Sequence, residues 1–386
     1  MERRAWLKAS GAGMVGIGLG ACAPRTGPAG ASPMVRLAPV RASWDRIIRT
    51  TVGLRPHRRS GFLVRAERLD GKTLVHNYGH GGAGMSTSWG TGLLAAELAL
   101  EHYARRAAVI GCGVVGLTAA RQLQRRGFDV TIYAKDVPPN TTSNMSLAGF
   151  TPTSGLVSRG GRTPAWDAQF RRAVEVAYNQ LQLLVGPEYG ISWIDQYGFS
   201  NDPPEPDEGP DPSSLLPVHL RRGSVELGPG QHPFPARYAS RQPSMRIEPS
   251  IYLEALVRDF YRVGGKVVIR TFDTLRDLVR LTEPILVNCT GLGAGALFGD
   301  DEIIPVKGQL TVLVPQPEVG YMTFGGVPGS GPRRAFGIHM MPRRDGIVLG
   351  GTSQRGVWTL EPDEDARREV VEGHIRLFTE MRGATV

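Results

Sequence analysis

One stretch of the sequence constrains the fold more than any other, the segment AAVIGCGVVG that begins at Ala107. An apolar run leads into glycines spaced as GxGxxG, a helical pattern follows over residues 117–126, and a second apolar run ends at Ala134. Alone, GxGxxG is a weak signal, but between a strand and a helix it predicts a βαβ unit that binds a dinucleotide. The first glycine makes the turn, the second admits the pyrophosphate, and the third lets helix and strand pack closely. The residues assigned to this loop are Gly111, Gly113, Val114, Val115 and Gly116.

Polar residues near the ends of predicted strands extend this prediction. Asp136 lies just beyond the second strand, where a carboxylate can bind ribose hydroxyls. The loop over residues 138–149 clusters hydroxyl groups and is either a plain surface loop or a phosphate contact. A further apolar strand ends at Thr290 and Gly291, where a second strand tip can meet the same ligand.

A second glycine-rich stretch, His76 to Gly92, reads HNYGHGGAGMSTSWGTG. It follows an apolar run and leads into a helical pattern that begins at Leu93. A strand, a glycine loop and a helix start together aim backbone N–H groups and the helix dipole at an electron-rich group. Two such loops in one chain predict one large ligand that is held at both ends.

Composition and charge narrow the classes of protein to consider. The 386 residues are enough for roughly two domains. The net charge is +9, but the arginines are scattered in pairs without interleaved aromatic residues. This pattern favours a solvated surface over a nucleic-acid interface. The three cysteines give neither a disulfide framework nor the spacing of metal ligands.

The first 22 residues are interpreted as a targeting segment. Arg3 and Arg4 open a twin-arginine motif of the form RRxWLK, and the apolar stretch after it is too short to span a bilayer. The segment ends in LGAC, which resembles a bacterial lipobox with Cys22 as the lipidated residue; the alternative is a plain tail with a chance cysteine. Because twin-arginine export carries folded proteins, this signal independently supports a cofactor bound before export. We expect a periplasm-facing location in the bacterial cell envelope, with membrane contact only through lipid on Cys22.

Four segments together resemble the D-amino-acid oxidase family of FAD-dependent oxidoreductases: AVIGCGVVGL, IYAKDVPPNTTSN, VNCTG and HNYGHGGAG. The resemblance covers nearly all of residues 44–386, and HNYGHGG and TTSN are specific to this family. It implies an α/β fold with a Rossmann-like FAD-binding domain and a mixed, mainly antiparallel β-sheet substrate domain. It also implies that FAD is bound without a covalent link.

The segments of the family stand in a different order in this chain. In the family the dinucleotide fingerprint lies near the N-terminus, whereas here the segment GLRP…HNYGHGG comes first. We therefore expect a circular permutant whose old ends are joined through residues 102–106. The alternative is a shuffled sequence, which the joining of segments without gap or duplication disfavours. The expected segments are 1–22 signal, 23–43 flexible linker, 44–71 substrate domain, 72–182 FAD-binding core, 183–243 substrate domain, 244–300 FAD-binding segment and 301–386 substrate domain.

The resemblance divides the cofactor between the two glycine loops. The GxGxxG loop would take the pyrophosphate, and Thr141, Thr142 and Ser143 would hydrogen-bond phosphate oxygens. Lys135 stands at the position of the family's ribose-binding acid, so Asp136 or a backbone contact is expected to take that role. Backbone N–H groups of the second loop would stabilise negative charge on the reduced ring. The residues expected against the isoalloxazine are Gly81, Gly82, Gly84, Met85 and Ser86.

Three positions match the substrate site of the family. Arg55 in GLRP matches the arginine that binds the substrate carboxylate, for which a guanidinium fork is suited; the alternative is a surface arginine. Gly82 matches the glycine whose carbonyl meets the substrate amine. His339 stands where the family has a tyrosine that contacts the carboxylate. It either donates a hydrogen bond in place of the tyrosine, most strongly at low pH, or marks a different substrate, or serves packing. His76 and His80 are expected to be structural.

The activity that the resemblance implies is oxidative deamination of D-amino acids. Hydride would pass from the substrate Cα to flavin N5, the imine would be hydrolysed to a 2-oxo acid and ammonia, and O2 would be reduced to H2O2. Two alternatives stay open. One is an amine or amino-acid dehydrogenase that passes electrons to a membrane quinone. The other is a non-catalytic, lipid-anchored protein that binds flavin.

Overall fold

The computed structural model describes residues 34–158, 160–204, 214–325 and 338–381. The expected signal segment, with Arg3, Arg4 and Cys22, lies outside these residues. Of the helices in the described ranges, none is both long and apolar enough to cross a membrane.

The described residues contain fifteen strands and seven α-helices. The strands are β1 (Ile47–Arg58), β2 (Leu63–Leu69), β3 (Lys72–Tyr78), β4 (Arg106–Ile110), β5 (Asp129–Ala134), β6 (Ile191–Ser200), β7 (Val225–Leu227), β8 (Tyr238–Ile247), β9 (Lys266–Ile269), β10 (Ile285–Asn288), β11 (Ile303–Leu313), β12 (Tyr321–Gly325), β13 (Ile338–Arg343), β14 (Gly346–Gly350) and β15 (Gln354–Arg355). The helices are α1 (Gly84–Leu100), α2 (Val114–Gln124), α3 (Pro164–Leu183), α4 (Pro249–Arg262), α5 (Leu275–Val279), α6 (Gly293–Phe298) and α7 (Glu364–Thr379).

The smaller sheet is the dinucleotide-type sheet that the sequence predicts. Its strand order is β2-β3-β10-β4-β5-β9, and every neighbouring pair is parallel except β2 with β3. Asp70, at φ 51°, and Gly71 form the two-residue turn that pairs Leu69 with Lys72. This hairpin extends the dinucleotide sheet. Residues 63–71, which we expected in the substrate domain, therefore belong to the other sheet.

Helix α1 begins inside the second glycine stretch, well before the predicted start at Leu93. Gly90 and Gly92 thus lie in a helix and not in a loop. A Cβ on Gly90 would overlap the backbone of Ala173 in α3, and one on Gly92 would lie 3.0 Å from the backbone nitrogen of Ala119 in α2. These glycines let three helices pack closely, and the glycine loop itself is confined to the few residues between β3 and α1.

The larger sheet has the mainly antiparallel order expected of a substrate domain. It runs β1-β11-β14-β13-β12-β6-β8-β7, with β15 also paired to β11, and β12 with β6 is its parallel pair. One face packs under α7, where Tyr321, Met340 and Leu349 form a core with Leu377 and Phe378. The opposite face carries the candidate site and is called the site face below.

The second half of the expected linker packs against the larger sheet. Residues 34–43 form neither helix nor strand. Val40 is nevertheless buried in the core under α7, and the Tyr321 hydroxyl donates to the Ala38 carbonyl at 2.9 Å. The sequence shows no periodicity here because the segment is held by single apolar residues and carbonyls, which leave no regular pattern.

Candidate active site

The GxGxxG loop has the geometry that a pyrophosphate site needs. Gly111 has a φ of 116°, and a Cβ there would lie 2.5 Å from the carbonyl oxygen of Cys289. A Cβ on Gly116 would overlap the carbonyl oxygen of Gly111. Gly113 precedes the 11-residue helix α2, whose N-terminus has no side-chain cap. The first N–H groups of that helix and its dipole favour a phosphate.

The hydroxyl-rich loop lies against the start of α2. The Val114 N–H donates to Ser143 Oγ at 3.0 Å, and the same N–H can donate to a phosphate oxygen. Thr141 is buried, and its hydroxyl lies 2.7 Å from Asn144 Oδ1, whereas Thr142 is exposed. Ser143 is therefore the hydroxyl nearest the helix N-terminus, while Thr141 holds the loop together.

Lys135 and Asp136 follow β5 at the carboxyl end of the parallel sheet, where doubly wound sheets bind their ligands. Both side chains are exposed, with Lys135 Nζ and Asp136 Oδ2 3.8 Å apart. An exposed pair of this kind is weak, so neither side chain is held away from a ribose. Within the described ranges, no group of three or more His, Cys, Asp or Glu side chains could hold a metal ion.

The second glycine loop meets the first one. A Cβ on Gly84, the first residue of α1, would lie 3.6 Å from Val114 Cγ1 and 3.9 Å from Val115 Cγ2. The Gly81 N–H donates to the Pro56 carbonyl at 2.8 Å, which ties the loop to β1. The N-termini of α1 and α2 therefore open on one region. This glycine cradle with two adjacent helix starts suits a ligand with negatively charged groups, such as the pyrophosphate of FAD.

The other side of this loop is closely packed. A Cβ on Gly82 would lie 2.8 Å from the carbonyl oxygen of Ser154. Met85 and Ser86 are buried, and the Ser86 hydroxyl accepts a bond from the Thr151 N–H at 2.8 Å. Ser86 thus anchors the segment that follows the hydroxyl-rich loop, and any contact it makes with a flavin comes in addition to that task.

Thr290 and Gly291 lie at the tip of β10, between β3 and β4. The Asn288 side-chain oxygen accepts bonds from the Thr290 N–H at 3.1 Å and from its hydroxyl at 2.7 Å. The amide nitrogen of Asn288 lies 3.1 Å from His76 Nδ1, and His76 Nε2 lies 3.1 Å from a carboxylate oxygen of Glu67. This chain of polar contacts fixes the strand tip and gives His76 a structural task.

Arg55 lies on the site face of β1 as a half-buried cation. Its guanidinium lies over Gly308, where a Cβ would clash with Nη2, and it donates to the Thr352 carbonyl at 3.2 Å. No aspartate or glutamate among the described residues forms an ion pair with it, and burial lowers its pKa. An arginine nonetheless stays protonated. Because a buried charge without a counterion is unfavourable, the site is suited to an anion.

His339 lies on β13, close enough to Arg55 to feel its charge. It pairs with Gly350 of β14 and stacks on Phe324 of β12, with ring centroids 4.0 Å apart. Burial, together with the charge of Arg55, lowers the pKa of His339 to about 4. The ring is therefore neutral at pH 7, with one donor and one acceptor. His339 would donate more strongly as a protonated ring, but it is protonated only at a pH near or below about 4.

Sequence reasoning missed three residues of the site face: His57, Phe324 and Arg355. His57 follows Arg55 by two positions on β1, so the strand period of two places both side chains on one face. That signal was present in the sequence. Phe324 and Arg355 reach this face through strand pairing, which no local pattern in the sequence shows.

A comparison with protein families finds a match over most of the chain. The family model DAO, described as FAD dependent oxidoreductase, matches residues 106–386. The matched region begins at β4, the strand that enters the GxGxxG loop, and continues to the end of the chain.

Curated relatives are similar over most of their length. The chain is 29% identical over 283 residues to a D-amino-acid oxidase of Rubrobacter xylanophilus, covering 73% of this chain and 79% of that protein. It is 28% identical over 279 residues to a D-amino acid oxidase of Dugesia ryukyuensis, covering 69% and 75%. It is 27% identical over 285 residues to the D-aspartate oxidase of Homo sapiens, covering 72% and 77%.

Solved structures share the fold. The glycine oxidase of Geobacillus kaustophilus superposes with a TM-score of 0.51 at 17% identity, covering 71% of this chain and 78% of that one. The glycine oxidase of Bacillus cereus gives a TM-score of 0.50 at 16% identity, with the same coverage. At these identities the likeness shows the fold alone, and it confirms the α/β architecture with a second, mainly antiparallel sheet.

Proposed function

The chain belongs to the DAO family of FAD-dependent oxidoreductases, and from this premise we propose that it oxidises D-amino acids with O2 as the electron acceptor. Its cofactor is FAD, and its reaction class is oxidation of an amino acid at the CH–NH2 group. To this the proposal adds the D configuration of the substrate and O2 as the electron acceptor. Both are supported by the names of two relatives, which are D-amino-acid oxidases of Rubrobacter xylanophilus and Dugesia ryukyuensis.

The observation that carries the proposal is the unpaired cation Arg55 beside the glycine loop. Pro56, the next residue, accepts the Gly81 N–H at 2.8 Å, so the cation and the loop are joined through one hydrogen bond. An α-amino acid has a carboxylate for the cation, and its Cα then lies near the loop. Arg55 thus offers an anchor for the substrate carboxylate next to the glycine loop that we assign to the isoalloxazine ring.

Each residue of the proposed site has a limited task. Bound FAD supplies the acceptor for the hydride that leaves the substrate Cα. Arg55 binds the carboxylate through two N–H donors, and Gly82 offers its carbonyl to the amine. Neutral His339 adds one donor or acceptor without adding charge. The imine product is hydrolysed by water to a 2-oxo acid and ammonia, so the protein's share is alignment and electrostatics.

Anaerobic mixing of the purified, FAD-loaded protein with D- and L-amino acids tests this function. We expect one or more D-amino acids to bleach the visible absorbance of the flavin while their L enantiomers do not. Bleaching by the L enantiomers would overturn the D configuration. A flavin that no D-amino acid reduces would remove the proposal.

The two alternative functions, a quinone-linked dehydrogenase and a non-catalytic flavin-binding protein, predict different results in the same experiment. A reduced flavin that reacts slowly with O2 but quickly with a quinone analogue would replace the oxidase by a quinone-linked dehydrogenase. A flavin that neither amines nor amino acids reduce would indicate a binding protein. The unpaired guanidinium of Arg55 argues against that last alternative, because a protein without a substrate has no use for a half-buried charge that lacks a counterion.

A further inference from the structure

A second arginine, Arg355, lies in the same row of the site face as Arg55. Val306 of β11 pairs with Arg55 of β1 on one side and with Arg355 of β15 on the other. Directly paired residues on neighbouring strands point their side chains to one face of the sheet. The two arginine Cα atoms are therefore about 10 Å apart, two strand spacings, with Val306 between them.

The side chain of Arg355 reaches back across the sheet toward β1. Its Nη2 lies 3.1 Å from His57 Nε2. His57 Nδ1 lies 2.8 Å from the Gly155 carbonyl, which can only accept, so Nδ1 carries the proton and Nε2 is the acceptor. Burial lowers the pKa of His57, and the positive charge of Arg355 acts in the same direction. His57 is therefore a neutral partner, and it leaves the charge of Arg355 uncompensated.

The two cations of this row differ from the next arginine along β1. Arg58 pairs with Asp300 at 2.8 Å and with Glu302 at 3.1 Å. Neither Arg55 nor Arg355 has a carboxylate partner within the part of the chain that the structure describes. Arg355 is also exposed, at the rim of the site face, so its charge is open to a ligand.

We propose that Arg355 binds a second carboxylate on the substrate, so that the protein prefers dicarboxylic α-amino acids. This inference rests on the proposed function, in which Arg55 binds the α-carboxylate. The Ser158 hydroxyl donates to His57 Nε2 at 3.1 Å, and Arg355 uses one of its five N–H groups on the same nitrogen, so the other guanidinium donors are available to a carboxylate. The guanidinium groups of Arg55 and Arg355 lie on the same face of the sheet. Each can bind one carboxylate of a four- or five-carbon diacid in a charge-assisted pair.

Isosteric substrates make the test sharp. The rate of flavin reduction and the substrate Kd are measured anaerobically for D-aspartate against D-asparagine and for D-glutamate against D-glutamine. We expect the diacid to exceed its amide at least tenfold in the ratio of reduction rate to Kd. Arg355→Leu should reduce that acid-to-amide preference at least tenfold, and Arg355→Lys should restore part of it, because lysine keeps the charge but not the planar fork.

The control is Arg68→Leu, which removes an exposed arginine from β2 of the other sheet. It should keep the acid-to-amide preference of the parent. The inference is overturned if the parent shows no preference for the acids, or if Arg355→Leu keeps one. Reduction by D-alanine without preferred reduction by the diacids would overturn this inference alone. If no D-amino acid reduces the flavin, the proposed function fails with it.

Discussion

The guanidinium of Arg55 donates to the Thr352 carbonyl and has no carboxylate partner among the described residues, and we propose that it binds the substrate carboxylate. Arg55→Leu removes both the charge and the fork, so we expect kcat/KM to fall about 100-fold or more. The physical basis is two charge-assisted hydrogen bonds of about 1.5–3 kcal/mol each. Arg55→Lys should fall between the parent and the leucine variant. Steady-state kinetics with the best D-amino acid measure the effect, mainly as a higher KM.

Flavin absorbance and Tm of the same variants provide the control for Arg55. The residue binds no part of the GxGxxG loop, so both variants should be purified with FAD. A leucine variant that binds the amino acid as tightly as the parent would show that another group holds the carboxylate.

Single residues also show how far the sequence can be interpreted. The GxGxxG motif at Gly111 and Gly116 could be identified because it stands in a local pattern that is visible without the fold, whereas Arg55 was singled out through the resemblance of GLRP to the family. The neutrality of His339 could not be predicted, since it follows from burial and from a cation on another strand. Arg355 was missed for a related reason: its neighbours on the site face lie about fifty residues or more away along the chain.

Among the secondary-structure elements, the main error of the sequence analysis was to place the glycines of α1 in a loop. A glycine-rich stretch predicts a loop because glycine is a poor helix former, at about 1 kcal/mol relative to alanine. In α1, Gly90 and Gly92 instead provide space for the neighbouring helices. The partner helices follow later in the chain, so no local pattern could reveal this use. The βαβ unit was predicted correctly because its strand, loop and helix are contiguous in sequence.

Gly90→Ala tests the close packing of α1. Helix propensity alone predicts a gain of about 1 kcal/mol. The added methyl group would overlap the Ala173 backbone, and overpacking of this kind costs about 1–3 kcal/mol or more, so we expect net destabilisation. The Tm of the FAD-loaded protein should fall by about 2–8 °C. Gly320→Ala, where nothing lies within 4 Å of the added Cβ, should leave it nearly unchanged. A higher Tm for Gly90→Ala would contradict the packing argument.

At the scale of the whole molecule, we propose that the chain is a circular permutant of its family. The family model begins its match at β4, yet β3 lies inside the same sheet, next to β10. The first strand of the chain, β1, pairs with β11 along most of its length. The two described ends of the chain also meet: the Tyr321 hydroxyl donates to the Ala38 carbonyl at 2.9 Å and lies 3.8 Å from Met381 Sδ. These contacts support the proposal that the order of the segments was exchanged while the strand pairings were kept.

A relinked chain tests the permutation. Met381 is joined to Met34 by about six Gly and Ser residues, which can span up to about 20 Å, and new ends are opened within residues 102–105. That connection between α1 and β4 is an exposed place to open the chain, since Tyr103 is 91% exposed. We expect the relinked protein to fold and to bind FAD, with a Tm within a few degrees of the parent, because every strand pair is kept.

A second relinked chain, opened between Val75 and His76 inside β3, should fail to bind FAD, because that cut divides an internal strand. Loss of FAD binding with the 102–105 opening would contradict the permutation.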